Sequence, residues 1–357
     1  MKVRIVLFTL LITVGTLGCK KGGMENHPNN IPPVDKRWVV STVAGNGTAF
    51  FADGPALNAE FRAPLDIAVS EDGIIYVADA LNHRIRKIEK GQVSTFAGIG
   101  IQDTTSGIGT VAGFALPSYL AFDGNGNLFT LDIQDPRVRK ISPTALVSVV
   151  AGDGTNGFAD GRADTAQFGN ECLGISLDEQ GNVYVVDWRN RRIRKVSTTG
   201  EVTTIAGNGK AGFVNGHADT AQFSNPAGLV VDKQGNLYVG DEGCIRKITP
   251  DKIVSTFSGS SSAIGYKDGL PNEALFSSII DMVIDEQGNI YASDENRIRK
   301  ITPQGVVTTL AGSTAGYRDG DALVAKFSGP VGLAIDKQGN IYVADDHNNR
   351  IRTIRFE

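Results

Sequence analysis

The sequence is poor in the residue types that metal centres and disulfide scaffolds require. Among 357 residues there are three cysteines and four histidines. None falls in a Cys-x-x-Cys or Cys/His spacing, which excludes a structural zinc site and a disulfide-stapled fold. Proline is sparse and scattered, 13 in all, so there is no polyproline stalk or low-complexity tract. No apolar run outside residues 5–18 approaches the length that spans a bilayer. Gly-x-Ser-x-Gly, P-loop and dinucleotide fingerprints are missing, which removes the enzyme classes that carry them.

What the chain has instead is glycine, 43 residues of it, placed by repetition. One phrase recurs six times: GIIYVADALNHRIRKI from Gly73, GNLFTLDIQDPRVRKI from Gly126, GNVYVVDWRNRRIRKV from Gly181, GNLYVGDEGCIRKI from Gly235, GNIYASDENRIRKI from Gly288 and GNIYVADDHNNRIRTI from Gly339. A period of about fifty residues marks an array or a propeller, in which no single repeat buries its apolar face alone. In the repeat at Gly228, the segments LVVD, LYVGD, CIRKI and IVSTFSG read as strands separated by short turns, the pattern of consecutive hairpins. Four such strands make a propeller blade.

The last repeat stops at RIRTIRFE without a fourth strand, whereas Trp38–Gly45 (WVVSTVAG) matches the fourth-strand sequences VSTFAG, VTTIAG and VTTLAG. The expected fold is all-β: a six-bladed β-propeller of four-stranded antiparallel blades, closed by the N-terminal strand completing the last blade. Closure of this kind leaves no unpaired edge.

The recurring G-N-x-Y-V-x-D, N-R-I-R-K-I and A-G elements resemble the NHL repeat. Over about residues 37–357 the chain is similar to bacterial NHL-repeat lipoproteins and to the NHL propellers of teneurin-like proteins. The resemblance implies the propeller but no single activity, because NHL propellers include RNA-binding, protein-binding and enzymatic members.

The first 18 residues read as a signal peptide: Lys2 and Arg4 precede the apolar run IVLFTLLITVGTLG. The run ends at Gly18-Cys19, a small residue before cysteine as in a lipobox, although Thr16 and Leu17 depart from that pattern. Lipidation at Cys19 is expected, with residues 19–36 as lipidated cysteine and flexible tether and residues 37–357 as the propeller. The chain is therefore expected to be exported and held as a bacterial membrane-anchored lipoprotein, in the periplasm or at the cell surface. Pairing of Cys172 with Cys244 is left open, two unpaired thiols being the plainer reading.

Net charge argues against nucleic acid. It is −4 for the whole sequence, and loss of Lys2 and Arg4 with the leader takes it to −6, whereas an RNA-gripping face must be basic. The R-I-R-K runs recur once per blade, each after an aspartate, so Asp79–Arg84, Asp132–Arg137, Asp187–Arg192, Asp294–Arg297 and Asp345–Arg350 are expected as structural pairs. Blade 4 has Cys244 in place of the first arginine, so Asp241 is expected to be freer than its counterparts.

The loops that enter each blade share a Gly-rich start, an Asp-Gly or Asn-Gly turn and an Ala-x-x-Ala-x-Phe half-turn. They are expected to fold back as short helical caps, with Phe61, Phe168, Phe223, Phe276 and Phe327 in the core. Asp53, Asp160, Asp268 and Asp319 are expected to fix these turns, calcium binding being the alternative. The blade 2 loop, GIGIQDTTSGIGTVAGFALP, lacks the Asp-Gly turn and is expected to be more mobile.

Residues that differ between blades mark the candidate binding face. Where two blades have Pro-x-Gly entering the inner strand, this chain has Asp66, Tyr119 and Asp281 instead of glycine. Near them in the pattern are Glu171, Trp188, Arg189, Asn190, His83 and His347. Trp188 and Tyr119 are aromatics suited to anchoring a partner or sugar. The reading is a membrane-tethered binding or scaffold propeller that recognises an envelope protein, a peptide or a glycan, with no cofactor and no catalytic residue assigned. The alternative, implied by six-bladed relatives of the gluconolactonase class, is a calcium-dependent hydrolase with Asp66, Glu171 and Asp281 as metal ligands in the central funnel. Lyases with NHL propellers hold zinc through several histidines, and here the propeller has only His83, His217 and His347.

Overall fold

Alternating Val, Ile, Leu and Tyr with Gly-containing turns produces six antiparallel sheets arranged as blades. A computed structural model describes residues 36–357, of which Arg37–Glu357 form one compact unit. The expected leader, Cys19 and nearly all of the tether lie outside the described residues. Inner strands run through Pro64–Val69, Pro117–Phe122, Cys172–Leu177, Pro226–Val231, Ile279–Ile284 and Pro330–Ile335.

Closure is as expected: Trp38–Ala44 lies against Arg350–Phe356, with Val40 opposite Ile354. Arg37 and Glu357 exchange backbone hydrogen bonds at 2.6 and 2.9 Å beside this strand pair. We call the face that carries the second-to-third strand loops and the blade entries the upper face, and the face of the tight inner-to-second strand turns the lower. Trp38 pairs with Phe356 at the end of a third strand, so the chain enters the ring at the lower rim.

Blades have more than the four strands expected. In five of them the entry loop adds a two-residue outermost strand, such as Gly54–Pro55 on Gln92–Ala97 or Gly161–Arg162 on Glu201–Ala206. Blade 5 has a single bridge, Gly269 to Val307, instead. The Asp-Gly turn makes this possible: Gly54 and Gly161 both take φ of 127°, a conformation open to residues without a Cβ. The helical caps are shorter than expected, three-residue 3-10 turns at Ala56–Asn58 and Gly109–Val111. All five predicted core phenylalanines are buried, and Phe114 of the divergent blade 2 loop joins them.

The charge pairs form through the other arginine. Arg84 is opposite Asp79 on the neighbouring strand, but its guanidinium donates to Asn82 O and lies 4.0 Å from the Phe51 ring centroid. Arg86, two residues on, is fully buried and donates to Asp79 Oδ2 at 2.6 Å, to Asp53, and to the carbonyls of Ala52 and Glu60. Arg194–Asp187, Arg246–Asp241, Arg299–Asp294 and Arg352–Asp345 repeat the arrangement. Asp241 is thus not freer than its counterparts, since Arg246 holds it at 2.8 Å. Asp53, Asp160, Asp268 and Asp319 fix the entry loops as expected, each bonded to a buried arginine and to a threonine of an outer strand.

Blade 2 departs from this scheme. Arg139 is buried but donates only to Gly113 O and Thr105 O, and its Nε has no partner. Asp135 stands where blades 1, 3 and 6 have Asn82, Asn190 and Asn348, which donate to the blade's aspartate. A carboxylate cannot donate, and Asp135 Oδ2 is left unpaired. Burial raises the pKa of Asp135 and of Asp132 opposite it. A raised folded-state pKa means that stability is lost as pH rises through it. Asp135→Asn is therefore expected to stabilise the protein by about 1–2 kcal/mol at pH 8 and by less at pH 4 to 5, measured by denaturant unfolding at both.

Cys172 and Cys244 are buried free thiols bonded to Gly169 O and Asp241 O. Burial pushes Cys244 up to about 12 and Cys172 well above its ordinary value. Positional mass spectrometry after alkylation is expected to find both unmodified in native protein and both modified after unfolding.

Candidate functional site

Three places stand out, two of which hold candidate residues. The first is the axis. Each inner strand carries a register shift near its start, and the residue there faces the next blade. Three of these positions are glycine, and a Cβ on Gly228 or Gly332 would come within 3 Å of the next blade's backbone. The other three are Asp66, Tyr119 and Asp281, all buried, at 3%, 5% and 7% exposure. Asp66 accepts Leu120 N of blade 2 at 2.6 Å and Ile67 N at 2.7 Å. Asp281 accepts Leu333 N of blade 6 at 2.8 Å.

These three groups act on one another. Burial, then the charge of Asp281, holds Asp66 well above the carboxylate range. Burial pushes Asp281 up to about 7. Tyr119 is raised by burial, then by Asp281 and Asp66. Burial is the first cause at all three, and the neighbouring carboxylates raise Asp66 and Tyr119 further.

The second place is the upper face between blades 3 and 4. Glu171, in a left-handed backbone conformation, binds Arg189 Nε at 3.0 Å. The Arg189 guanidinium lies 4.8 Å from the Trp188 ring centroid, and Trp188 Nε1 donates to Asn225 Oδ1. Arg189 and Glu171 keep 54% and 35% of their side-chain surface exposed. Asn190 belongs to the scaffold, donating to Gly157 O and Asp187. Glu171 is thus committed to Arg189, and the three-carboxylate cage with Asp66 and Asp281 is not assembled. Among the described residues no group of three or more His, Cys, Asp or Glu is placed to hold a metal.

The histidines occupy separate loops. His83 donates to Ala115 O at 2.6 Å, tying blade 1 to the blade 2 entry. His347 is exposed, packs over Gly329 and lies 3.6 Å from Asp346.

The third place was not anticipated. Grooves of about 520 to 780 Å³ run between blades 2, 3, 4 and 5 on the lower face. They are walled by the Asp-x-x-Gly-Asn turns, among them Asp178–Asn182 and Asp232–Asn236. In each turn the aspartate accepts two backbone amides and the asparagine side chain. Repetition made these turns look purely structural.

A family profile for the NHL repeat matches residues 61–88 and 327–354, in both cases the stretch from the buried phenylalanine to the third strand. The chain carries NHL repeats. The chain is similar to part of "Protein SUPPRESSOR OF QUENCHING 1, chloroplastic" of Arabidopsis thaliana, at 28% identity over 68% of this chain and 25% of that protein. It is also similar to part of Teneurin-4 of Homo sapiens, at 27% identity over 94% of this chain and 14% of the relative. The chain thus spans a quarter or less of these relatives. Among solved structures, an auxiliary nutrient binding protein from Bacteroides thetaiotaomicron superposes with a TM-score of 0.69 at 19% identity, over 90% of this chain and 77% of that one. At that identity the likeness concerns the fold.

Proposed function

We propose that the protein is a binding propeller outside the cytoplasm, anchored through Cys19, which recognises an envelope protein, peptide or glycan on its upper face. The observation that carries this reading is the contrast between repeated and unrepeated polar residues. The repeated Asp, Arg and Asn side chains are spent inside the blades, whereas Glu171, Trp188 and Arg189 occur once and stand half-exposed together. Aromatic and arginine side chains of this kind dominate recognition energetics. The nutrient-binding neighbour and the teneurin relatives are compatible with binding, and the acidic balance disfavours nucleic acid.

The test is capture from envelope extract and a glycan array, run in parallel with wild-type protein, Trp188→Ala and Arg189→Ala. Loss of one ligand by at least about tenfold in both variants, with melting temperature unchanged, is the expected result. Retention in both overturns the assignment of the face.

A further inference from the structure

The Trp188 cluster on the upper face is fixed before any ligand arrives. Glu171 grips Arg189 as a fork, Oε2 on Nε and Oε1 on Nη2, both at 3.0 Å. A two-bond pair of this kind sets the plane of the guanidinium as well as its place. The arginine stem passes over Gly169, where a Cβ would lie 2.6 Å from Arg189 Cβ, so the approach uses room that a side chain would close. Trp188 is pinned through its Nε1 by Asn225 and takes the guanidinium 4.8 Å from its ring centroid. At the corresponding places blades 1, 2 and 6 carry Ala80-Leu81, Ile133-Gln134 and Asp346-His347, so the blade scaffold does not call for the aromatic.

What remains unspent in the cluster selects the ligand. A guanidinium has five N–H donors; Glu171 takes two, and among the described residues no acceptor takes the other three. Each Glu171 oxygen keeps a lone pair. Asn225 is exposed, gives its Oδ1 to Trp188 and, among the described residues, keeps its Nδ2 donors. The one polar group of Trp188 is already bonded, so it offers ring surface alone. The cluster is therefore an apolar ring bordered by separate donors and acceptors, on an Arg–Glu pair of zero net charge. A charged group would have to break the fork to pair with either member, and an apolar side chain would leave the polar border unmatched. Hydroxyls, each both donor and acceptor, around an apolar C–H face match it, and a pyranose presents that combination.

We propose that the ligand of this face is a glycan, bound through an uncharged pyranose unit that lays its C–H face on Trp188 and its hydroxyls on Arg189, Glu171 and Asn225. This rests on the upper-face reading above and narrows it to one ligand class. The fork and the pinned indole hold the binding groups in place beforehand, which lowers the ordering cost of capturing a small polar ring.

The experiment is fluorine NMR of the full-length chain carrying fluorotryptophan. The chain has two tryptophans, so Trp188→Phe assigns the Trp188 signal and Trp38 serves as the internal control. The probes are methyl glycopyranosides of glucose, galactose, mannose and N-acetylglucosamine, with glucuronate and glucosamine as charged counterparts. At least one uncharged glycoside is expected to shift the Trp188 signal saturably and leave Trp38 in place. Its affinity should change by less than about twofold between about 0.05 and 0.5 M salt, since screening acts on net charges. Glu171→Gln undoes the charged fork while keeping an acceptor, and should weaken binding at least about tenfold. Tighter binding of either charged sugar, or a Trp188 signal that no glycoside moves, overturns the sugar assignment. If the glycosides are silent while capture from envelope extract still requires Trp188 and Arg189, the upper face stands and its ligand is a protein or peptide. If capture is indifferent to both residues as well, the face assignment falls too. The glycoside comparisons use the unaltered sequence, so they decide the matter even if a variant fails to fold.

Discussion

Arg194→Ala is expected to lower the unfolding free energy by about 3–5 kcal/mol, the range for leaving one member of a buried ion pair alone. Arg194 donates to Asp187 Oδ2 at 2.8 Å, to Asp160 at 2.7 Å and to the carbonyls of Gln167 and Ala159. It also lies over the rings of Phe158 and Phe168 at 4.8 and 4.9 Å. The residue therefore joins the second strand, the entry loop and the core phenylalanine, and truncation strands Asp187, which is fully buried. Burial already raises the pKa of Asp187 with Arg194 opposing it, so without the arginine it rises further. A group with a raised folded-state pKa binds more protons folded than unfolded, and the deficit shrinks as pH falls. The variant should accordingly lose less at pH 5 than at pH 8. Arg139→Ala is the comparison: with no carboxylate bonded to it, its loss should cost about 1–2 kcal/mol and show a weaker pH trend. Denaturant unfolding of both variants at the two pH values checks this, and equal losses would mean that the ion pair is not what holds the blade.

Removing Trp38–Ala44 is expected to abolish the cooperative monomeric fold. The strand is the fourth of blade 6, between Arg350–Phe356 and the two-residue Gly320–Asp321 strand, and buries Val40 and Ala44. Through Thr42 it fixes Asp319, the partner of Arg352, and Trp38 packs on Phe356 with ring centroids 5.3 Å apart. Without it Arg350–Phe356 becomes an unpaired edge, a template for pairing with another chain. The loss should reach about 5 kcal/mol or more, the scale of a domain's whole net stability. Size-exclusion chromatography and thermal unfolding of a chain starting at Gly45 should show oligomers or no cooperative transition, and a peptide of residues 36–46 should restore the monomer. A truncated chain that stays monomeric and melts cooperatively would contradict closure by this strand.

The blade count, the closing strand and the core phenylalanines were legible because each is a repeated apolar position with a fixed offset. Which arginine pairs was not legible. Arg84 and Arg86 are two residues apart on a strand and share a face, so pattern alone cannot say which reaches Asp79 and which lies over Phe51. The fifth strands were invisible because a two-residue Gly54–Pro55 segment has no alternation to read. At the axis, the departures from glycine at positions 66, 119 and 281 did mark a common place, since equivalent positions in a propeller converge. Glu171 precedes its strand in a left-handed turn, outside that equivalence, and went to Arg189 instead. The lower-face grooves escaped notice because their walls are made of the most regular turns in the chain.

The most direct measurement is site-specific photocrosslinking in cells, with the reactive amino acid at position 188 on the upper face or at position 234 on the lower. A crosslinked partner or glycan adduct from position 188, and none from 234, is the predicted result. Adducts from position 234 alone would move recognition to the lower-face grooves and contradict the assignment of Trp188, Arg189 and Glu171 as the binding surface.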